Sequence, residues 1–461
     1  MLELTTKQTL AKHAETIAKS YNLIQCGGLT YAPAHWLTEE LGPCDPTEQV
    51  WFPLVRLTKR KLGNHLGKIL FATDSEVTNF DFMLQQFAEE WEMQSSTLLI
   101  KTKEGLRCLT ESGDLVPADG TFNPNYLKTT LNNDSADKQF VMDTIVEWLN
   151  SEEEAVSLLR HLSTALSPSY SAVKYLLLIG DGRNGKSVLL SMLLDLFGST
   201  NVSHITRQQM AERLQVCTEL NGKLLNIIFD GEQAYIKDSS MEKTLIAGEP
   251  AQVRLLYENG TTRVQTNALF IEAVNREPKT RDKSGALQKR LARFSFPNVY
   301  PLNKKFERKL RSERYLGALL SLLLDNFVTQ EQLAEALKPT TGSVELRLDQ
   351  EMINSPVLQF VQYLVLREPA WMKKLEAGGL PLDALIDSFM AWRLEEGFNE
   401  LSTLDAQRMF RENFFAERKS IRDNGRVVKK WILKAPQQSV QELLDQLKGD
   451  ENAPTESLVD D

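Results

Sequence analysis

The chain has 461 residues, of which 42% are hydrophobic and 25% charged, and its formal net charge is −9. That mixture excludes fibrous and low-complexity classes, and the longest apolar run, Tyr315 to Leu324, is too short to cross a bilayer. Its four cysteines, Cys26, Cys44, Cys108 and Cys217, form no C-x-x-C pair, which gives no support for a zinc ribbon and fits reduced thiols in a cytoplasm.

A chain of this length predicts about three domains. The first residues, MLELTTKQTLAKHAETIAKSY, read as a polar amphipathic helix and not as a secretory signal, so the expected location is the cytoplasm, with no membrane association. Residues 1–125 read as a mixed α/β domain: turn clusters are frequent (CGGLT, ELGPCDP, ESGDLVPADG) and Ser96 to Val116 alternates like short strands. Asp137 to Leu166 carries apolar residues at helical spacing before Pro168, which predicts a helical collar over 126–170. From 171 to 337 strand-like runs alternate with helical ones, the pattern of a parallel α/β sheet. Lys338 to Ser343 (KPTTGS) has linker composition. Over 350–435 three helical runs, the last from Leu404 to Phe415, precede a basic hairpin with an Asp423-Asn424-Gly425 turn. The expectation for 436–461 is an acidic, disordered tail.

Charge is distributed unevenly. Arg276 to Arg314 contains thirteen Lys or Arg against four Asp or Glu, whereas Gln441 to Asp461 contains seven acids against Lys448 alone. A basic block and an acidic tail average to a misleading total, so nucleic acid is not excluded as a partner.

The sharpest motif is Gly180 to Ser187, GDGRNGKS, which satisfies G-x-x-x-x-G-K-[ST]. Lys174 to Ile179 is apolar and of strand length; Ser187 to Phe197 (SVLLSMLLDLF) has helical length and mostly helix-forming residues. At such a strand-to-helix turn Gly180, Gly182 and Gly185 let the loop Gly180-Asp181-Gly182-Arg183-Asn184-Gly185 turn its N–H groups toward a phosphate, aided by the helix N-terminus. Lys186 would reach the β- and γ-phosphates of ATP and the Ser187 hydroxyl would ligate Mg²⁺.

Lys223 to Glu232 (KLLNIIFDGE) supplies an apolar run ending in two carboxylates. Asp230 is the expected Mg²⁺-side acid and Glu232 the one that polarises water, with the exchange of those roles left open. Acids at strand ends are common in loops, so this signal takes its weight from the phosphate loop. Asn267 to Asn275 (NALFIEAVN) is a further apolar run whose closing amide can hydrogen-bond a phosphate or the water. In Gln288 to Phe296 (QKRLARFSF), Arg290 is the expected arginine finger onto a neighbouring subunit's phosphate, with Arg293 as the alternative. Arg254 to Arg263 (RLLYENGTTR) reads as two short strands about an Asn259-Gly260 turn.

Four stretches resemble the superfamily 3 helicases, ring-forming AAA+ motors, and within them the helicase half of phage and plasmid primase–helicases and its poxvirus-type relative. They are GDGRNGKS, LLNIIFDGE (Leu224–Glu232), MEKTLIAGEPAQVRLLY (Met241–Tyr257), and FIEAVNREP followed by KRLARFSF. The similarity covers about residues 130 to 435. It departs from the family pattern at Ala247-Gly248-Glu249, where Gly-Gly-Asp is usual, and at Asp230-Gly231-Glu232, where the acids are usually adjacent. No primase half is evident, which implies a helicase without primase activity.

The resemblance implies an α/β fold: an AAA+ P-loop motor, preceded by mixed α/β and helical regions and followed by a winged-helix domain. It implies a hexameric ring of phage or mobile-element origin, in the host cytoplasm, that uses Mg·ATP to move on single-stranded DNA and unwind forks beside a primase or polymerase. The hairpin would line the central channel, with Lys243, Arg254 and Arg263 on DNA phosphates and Tyr257 as a stacking face. In the winged helix, Arg408, Arg411, Arg418 and Lys419, with Arg422, Arg426, Lys429 and Lys430 on the wing, would meet duplex. The alternatives are a replication initiator or DNA-binding switch in which ATP controls assembly without unwinding, and an RNA-directed viral motor.

Overall fold

The computed structural model describes residues 7–20, 22–26, 29–33, 51–53, 84, 86–90, 98–118, 125–231, 239–254, 261–277, 286–367, 380–396, 401–423, 426–437, 440–441 and 444. The chain divides into two compact units, Met1–Thr340 and Thr341–Asp461, with the break inside the Lys338–Ser343 stretch.

The first unit begins with helix α1 (Lys7–Ser20), which buries Ala14, Ile17 and Ala18, three residues on one helical stripe. Strands β1 (Ile24–Cys26), β2 (Leu29–Pro33), β3 (Trp51–Pro53) and β4 (Glu89–Glu90) form a sheet in the order β3-β2-β1-β4. The alternating Ser96–Val116 segment becomes β5 (Leu98–Thr102), β6 (Gly105–Leu109) and β7 (Leu115–Pro117), an antiparallel meander joined by β8 (Tyr126–Thr130). The collar segment forms two helices. In α2 (Ser135–Leu149) the cap Asp134 accepts from the Ala136 and Asp137 amides; in α3 (Glu152–Ser163) Ser151 accepts from Glu154 N–H, with three acids in the first turn.

The centre of the unit is a parallel sheet. Its elements run β9 (Tyr175–Ile179), α4 (Lys186–Phe197), β10 (Val202–Ser203), α5 (Arg207–Glu212), β11 (Leu225–Ile228), α6 (Ser240–Ile246), β12 (Ala251–Arg254), β13 (Thr261–Val264), β14 (Leu269–Val274), α7 (Ala286–Arg290), β15 (Leu291–Ser295), α8 (Lys304–Leu310), α9 (Glu313–Asp325) and α10 (Leu333–Ala336). The strand order is β10-β11-β14-β9-β15, and every neighbouring pair is parallel. Every residue of β9 and β14 is buried, as expected of strands covered on both faces. On one face Leu176, Leu178, Ile271 and Ala273 join a core with Leu158, Leu189, Leu193 and Leu319 of α3, α4 and α9. On the other, Tyr175, Leu177, Phe270 and Val274 join Leu245, Ile246, Val253 and Val264 of α6 and the β12–β13 hairpin.

The second unit contains α11 (Thr341–Asn354), α12 (Pro356–Arg367), β16 (Leu380–Pro381), α13 (Leu382–Glu395), α14 (Thr403–Asn413), β17 (Phe414–Asp423) and β18 (Arg426–Pro436). Its sheet order is β16-β18-β17. Edge-to-face contacts of Phe389 with Phe360 (5.2 Å) and Phe410 (5.1 Å) centre its core. Two expectations are corrected here. The helix expected to reach Phe415 stops at Asn413, because Phe414 and Phe415 alternate as strand residues, 3% and 61% exposed. The segment expected to be a disordered tail from 436 starts by packing: Val440 and Leu444, one helical turn apart, are both in the core. Residues 445–461 lie outside the described residues.

No helix among the described residues is long and apolar enough to cross a membrane. Among them Cys217 is a buried free thiol.

His161 of α3 is fully enclosed in the first core. Its Nδ1–H donates to the Ser157 carbonyl at 2.8 Å, and its ring meets Phe294 edge-on at 5.5 Å. Burial pushes its pKa down from 6.5 to about 4. The folded state therefore holds the ring neutral while the unfolded chain takes up a proton below 6.5, so this contribution is complete above pH 6.5 and is lost as pH falls toward 4. Between pH 7 and pH 5 the unfolding free energy should drop by about 2 kcal/mol on this account. His161→Gln, which keeps an N–H donor but does not titrate, should flatten that slope in urea titrations; an unchanged slope would refute the assignment.

Candidate nucleotide-binding site

The loop after β9 is anchored on both sides. Gly180 N–H donates to Val274 of β14 at 3.2 Å, and Phe296 N–H donates to Ile179 at 2.7 Å. Within the loop Arg183 (φ 63°) and Gly185 (φ 95°) are left-handed. Gly185 is also the N-cap of α4, and a Cβ there would press on the Trp148 indole of α2 at 2.7 Å, so only glycine fits. Asn184 turns inward: its Nδ2 donates to the Phe296 carbonyl at 3.1 Å, and its Oδ1 accepts from Lys186 Nζ at 3.0 Å. Lys186 Nζ donates also to the Gly180 carbonyl, and the side chain is 5% exposed. Burial pushes the Lys186 pKa down, opposed by the charges of Asp181 and Asp230.

The backbone N–H groups from Asp181 to Ser187 make no hydrogen bond among the described residues. Asp181, Gly182, Arg183 and Ser187 are exposed, and a Cβ on Gly182 would meet nothing within 4 Å. Unpaired amides converging at the start of a 12-residue helix, beside a buried ammonium, make a concavity suited to a polyphosphate.

Register brings the acid and the amide to the same edge of the sheet. Val274 pairs with Ile179, so Asn275, which is exposed, emerges beside Gly180. Ile228 of β11 pairs with Glu272, and Gly231 N–H donates to Ala273 at 2.8 Å, so exposed Asp230 emerges one strand further on. Two strand spacings, about 10 Å, separate its backbone from the loop. The hydroxyl of Ser187 and the carboxylate of Asp230 are the hard oxygen donors that Mg²⁺ prefers, and the amides with Lys186 match a triphosphate; the residues present fit both groups. Glu232 lies outside the described residues.

Sequence reasoning overlooked Glu272. It is 2% exposed in the middle of β14, accepts from Tyr175 Oη at 3.0 Å, and lies against Gly231 so closely that a Cβ on that glycine would collide with it. This explains why the acids of Asp230-Gly231-Glu232 are not adjacent. Burial pushes its pKa up to about 7, against the pull of Arg207 and the Tyr175 hydrogen bond. A single acid inside the apolar run LFIEAV was the available signal.

Of the two arginines, Arg290 closes α7 and is half-buried. Arg293 as the alternative finger is corrected. The chain enters β15 at Leu291, which makes Arg293 a strand residue; it is 1% exposed, and its Nε and Nη2 grip Glu277 at 2.7 and 2.9 Å. A guanidinium so enclosed does not reach a neighbouring copy.

The two hairpin strands exist, and the turn between them lies outside the described residues. Thr261 pairs with Arg254, whereas a two-residue Asn259-Gly260 turn would pair it with Glu258. Residues 255–260, Tyr257 among them, lie outside the described residues. Arg254 and Arg263 share the exposed face, with Val253 and Val264 on the buried one; Arg263 donates to Gln265 at 2.6 Å. Lys243 is half-buried on the preceding helix α6. In the second unit Asp423 pairs with Arg426, the register of a two-residue turn. Arg411 and Arg418 lie over the Trp431 ring at 4.8 and 5.9 Å, Arg408 pairs with Glu412 at 3.1 Å, and Lys419 with Glu417 at 2.8 Å, while Lys429 is exposed.

The model of a family described as of unknown function, DUF5906, matches residues 178–293, which span the phosphate loop, Asp230, Asn275 and Arg290. No curated protein matches the chain. Among solved structures, the apo A form of the NrS-1 C-terminal region is 12% identical with a TM-score of 0.49, covering 92% of this chain and 98% of that one. A second apo structure of the same region is 11% identical with a TM-score of 0.45, covering 92% and 100%.

The Arg293–Glu277 pair generates a test. Removing the carboxylate from a buried guanidinium should cost on the order of 3 kcal/mol. Glu277→Ala should therefore lower the denaturation midpoint of the isolated protein markedly; a finger acting on a neighbouring copy would leave that midpoint unmoved.

Proposed function

We propose that the chain is an ATP-dependent DNA helicase whose nucleotide site is the loop from Gly180 to Ser187. The observation that carries this reading is the convergence of unpaired loop amides, Lys186, Asp230 and Asn275 at the carboxyl ends of adjacent parallel strands, where ligands bind in open α/β sheets. The strand order, with β14 inserted between the loop strand and the acid strand, and the exposed Arg254 and Arg263 on one hairpin face support a motor of the AAA+ type that grips a nucleic-acid backbone.

In this mechanism the loop amides and Lys186 bind the β- and γ-phosphates. Ser187 and Asp230 would hold Mg²⁺, which would supply charge neutralisation when bound. Asp230 and Glu232 share Mg²⁺ binding and water activation, and Asn275 orients the γ-phosphate or the water. Arg290 of an adjacent copy completes the site in a six-membered ring. Turnover then moves Arg254, Arg263 and Lys243 along single-stranded DNA. The second unit is a winged helix: its order of helices and strands and its long basic hairpin, β17–β18, support duplex binding at the fork. A primase or polymerase would work beside it.

Lys186→Ala should abolish ATP hydrolysis. Arg290→Ala should bind a fluorescent ATP analogue normally yet fail to turn over. The parent protein should displace a strand from forked DNA, and its ATPase should rise more with single-stranded DNA than with RNA. Binding of the fork without displacement would convert the reading to a replication switch; greater stimulation by RNA would convert it to an RNA motor; unimpaired turnover in Lys186→Ala would end it.

A further inference from the structure

Four polar side chains lie buried between the phosphate end of the sheet and the hairpin. Glu272 of β14 presses against Gly231, the residue after Asp230. Tyr175 of β9, fully buried, donates its hydroxyl to Glu272 at 3.0 Å. The Arg207 guanidinium of α5 lies over the Tyr175 ring at 5.4 Å. Arg207 in turn binds Glu242 of α6 through Nε at 2.7 Å and Nη2 at 3.4 Å. None of the four is more than 4% exposed.

Helix α6 leads straight into the hairpin. Its end is tied to the far strand, because Gln265, just past β13, donates to the Gly248 carbonyl at 3.1 Å. Glu242 is therefore anchored to the element that carries Arg254 and Arg263, and Glu272 to the turn that carries Asp230. Arg207 stands between the two acids with Nη1 buried and making no hydrogen bond among the described residues. A buried donor left unpaired is destabilising, and a well-packed apolar set is often at least as stable as a buried ion pair. Packing alone gives no reason to keep this arrangement; an arginine able to turn between two carboxylates does.

We propose that Arg207, held between Glu242 on the hairpin helix and Glu272 beneath the Asp230–Gly231 turn, is a positioning residue that couples the nucleotide site to the hairpin. The inference rests on the proposed function. In the present arrangement Arg207 favours Glu242. A shift of the Asp230–Gly231 turn moves Glu272, which draws the guanidinium across, releases α6 and lets the hairpin change position.

Coupling between two sites is reciprocal and commonly amounts to a roughly 5–150-fold change in affinity. The experiment reads that factor as the ratio of single-stranded DNA Kd values with and without a non-hydrolysable ATP analogue, alongside ATPase without DNA. Glu242→Gln and Tyr175→Phe are nearly isosteric, and the second removes a single hydroxyl while keeping the ring. Both should retain DNA-free ATPase within about two-fold of the parent, yet bring the ratio to within two-fold of unity and lose most stimulation by DNA. If both variants keep the parent's ratio, Arg207 carries no coupling, although the helicase reading stands. If ATPase and DNA affinity fall together with the melting temperature and the ratio is preserved, the cluster is structural only and the inference is overturned. A parent with neither ATPase nor nucleotide-dependent DNA affinity overturns the helicase reading and the inference with it.

Discussion

The hydrogen bonds that flank Gly180 govern the geometry of the site. A chain leaving a buried parallel strand has lost its ladder partners and must find others at once. Here Gly180 is still bonded to Val274 on one side, and Ile179 to Phe296 on the other. The turn thus begins at a fixed point between β14 and β15. Everything that follows in the loop inherits that origin: Asn184 folds back to the Phe296 carbonyl, and Lys186 is brought beside Gly180. Of these strands β14 delivers Asn275, and β11, one strand beyond it, delivers Asp230. The candidate site is less a loop with a motif than the common end of three registered strands.

Trp148 closes the site from behind. Its ring fills the space where a side chain on residue 185 would go, so α2, from outside the sheet, dictates how tightly the loop can turn into α4. The collar helices are consequently part of the candidate site. Lys186 is preorganised by contacts within the loop. Its ammonium is held by acceptors of its own loop, and a bound phosphate would take over those contacts without moving the side chain out of solvent.

Local chemistry was legible in the sequence; partnership across the sheet was not. The glycine spacing of 180–187 specifies its own conformation, so strand, loop and helix are found within a residue of their expected positions. Asn-Gly illustrates the limit. At 424–425 the flanking residues Asp423 and Arg426 pair as a two-residue turn demands. At 259–260 the same dipeptide lies outside the described residues, and the strands beyond it pair Arg254 with Thr261, so the register carried by Val253 and Val264 is read from the ladder and not from the turn. Arg293 looked like an exposed cation only because its acceptor, Glu277, lies sixteen residues away in the sequence. Glu272 was passed over for a related reason: an acid in an apolar strand acquires meaning only when its neighbours on other strands are known.

Those two buried charges share a row. Glu272 and Arg293 both pair with Leu177, one from each side of β9, and paired residues in parallel strands face the same way. Leu177 keeps them apart by about two strand spacings, roughly 10 Å, too far for a direct bond. Each therefore takes a partner from elsewhere: Glu272 the Tyr175 hydroxyl, Arg293 the Glu277 carboxylate. The consequence falls on the residue between them in sequence. Asn275 lies three residues after Glu272 and two before Glu277, so its backbone leaves the sheet between two internal ties. An exposed amide on so short a tether has little freedom to swing, which is the property required of a group that must meet a phosphate in one orientation. Burying charge is costly, and here the cost coincides with the place where positional precision is most useful.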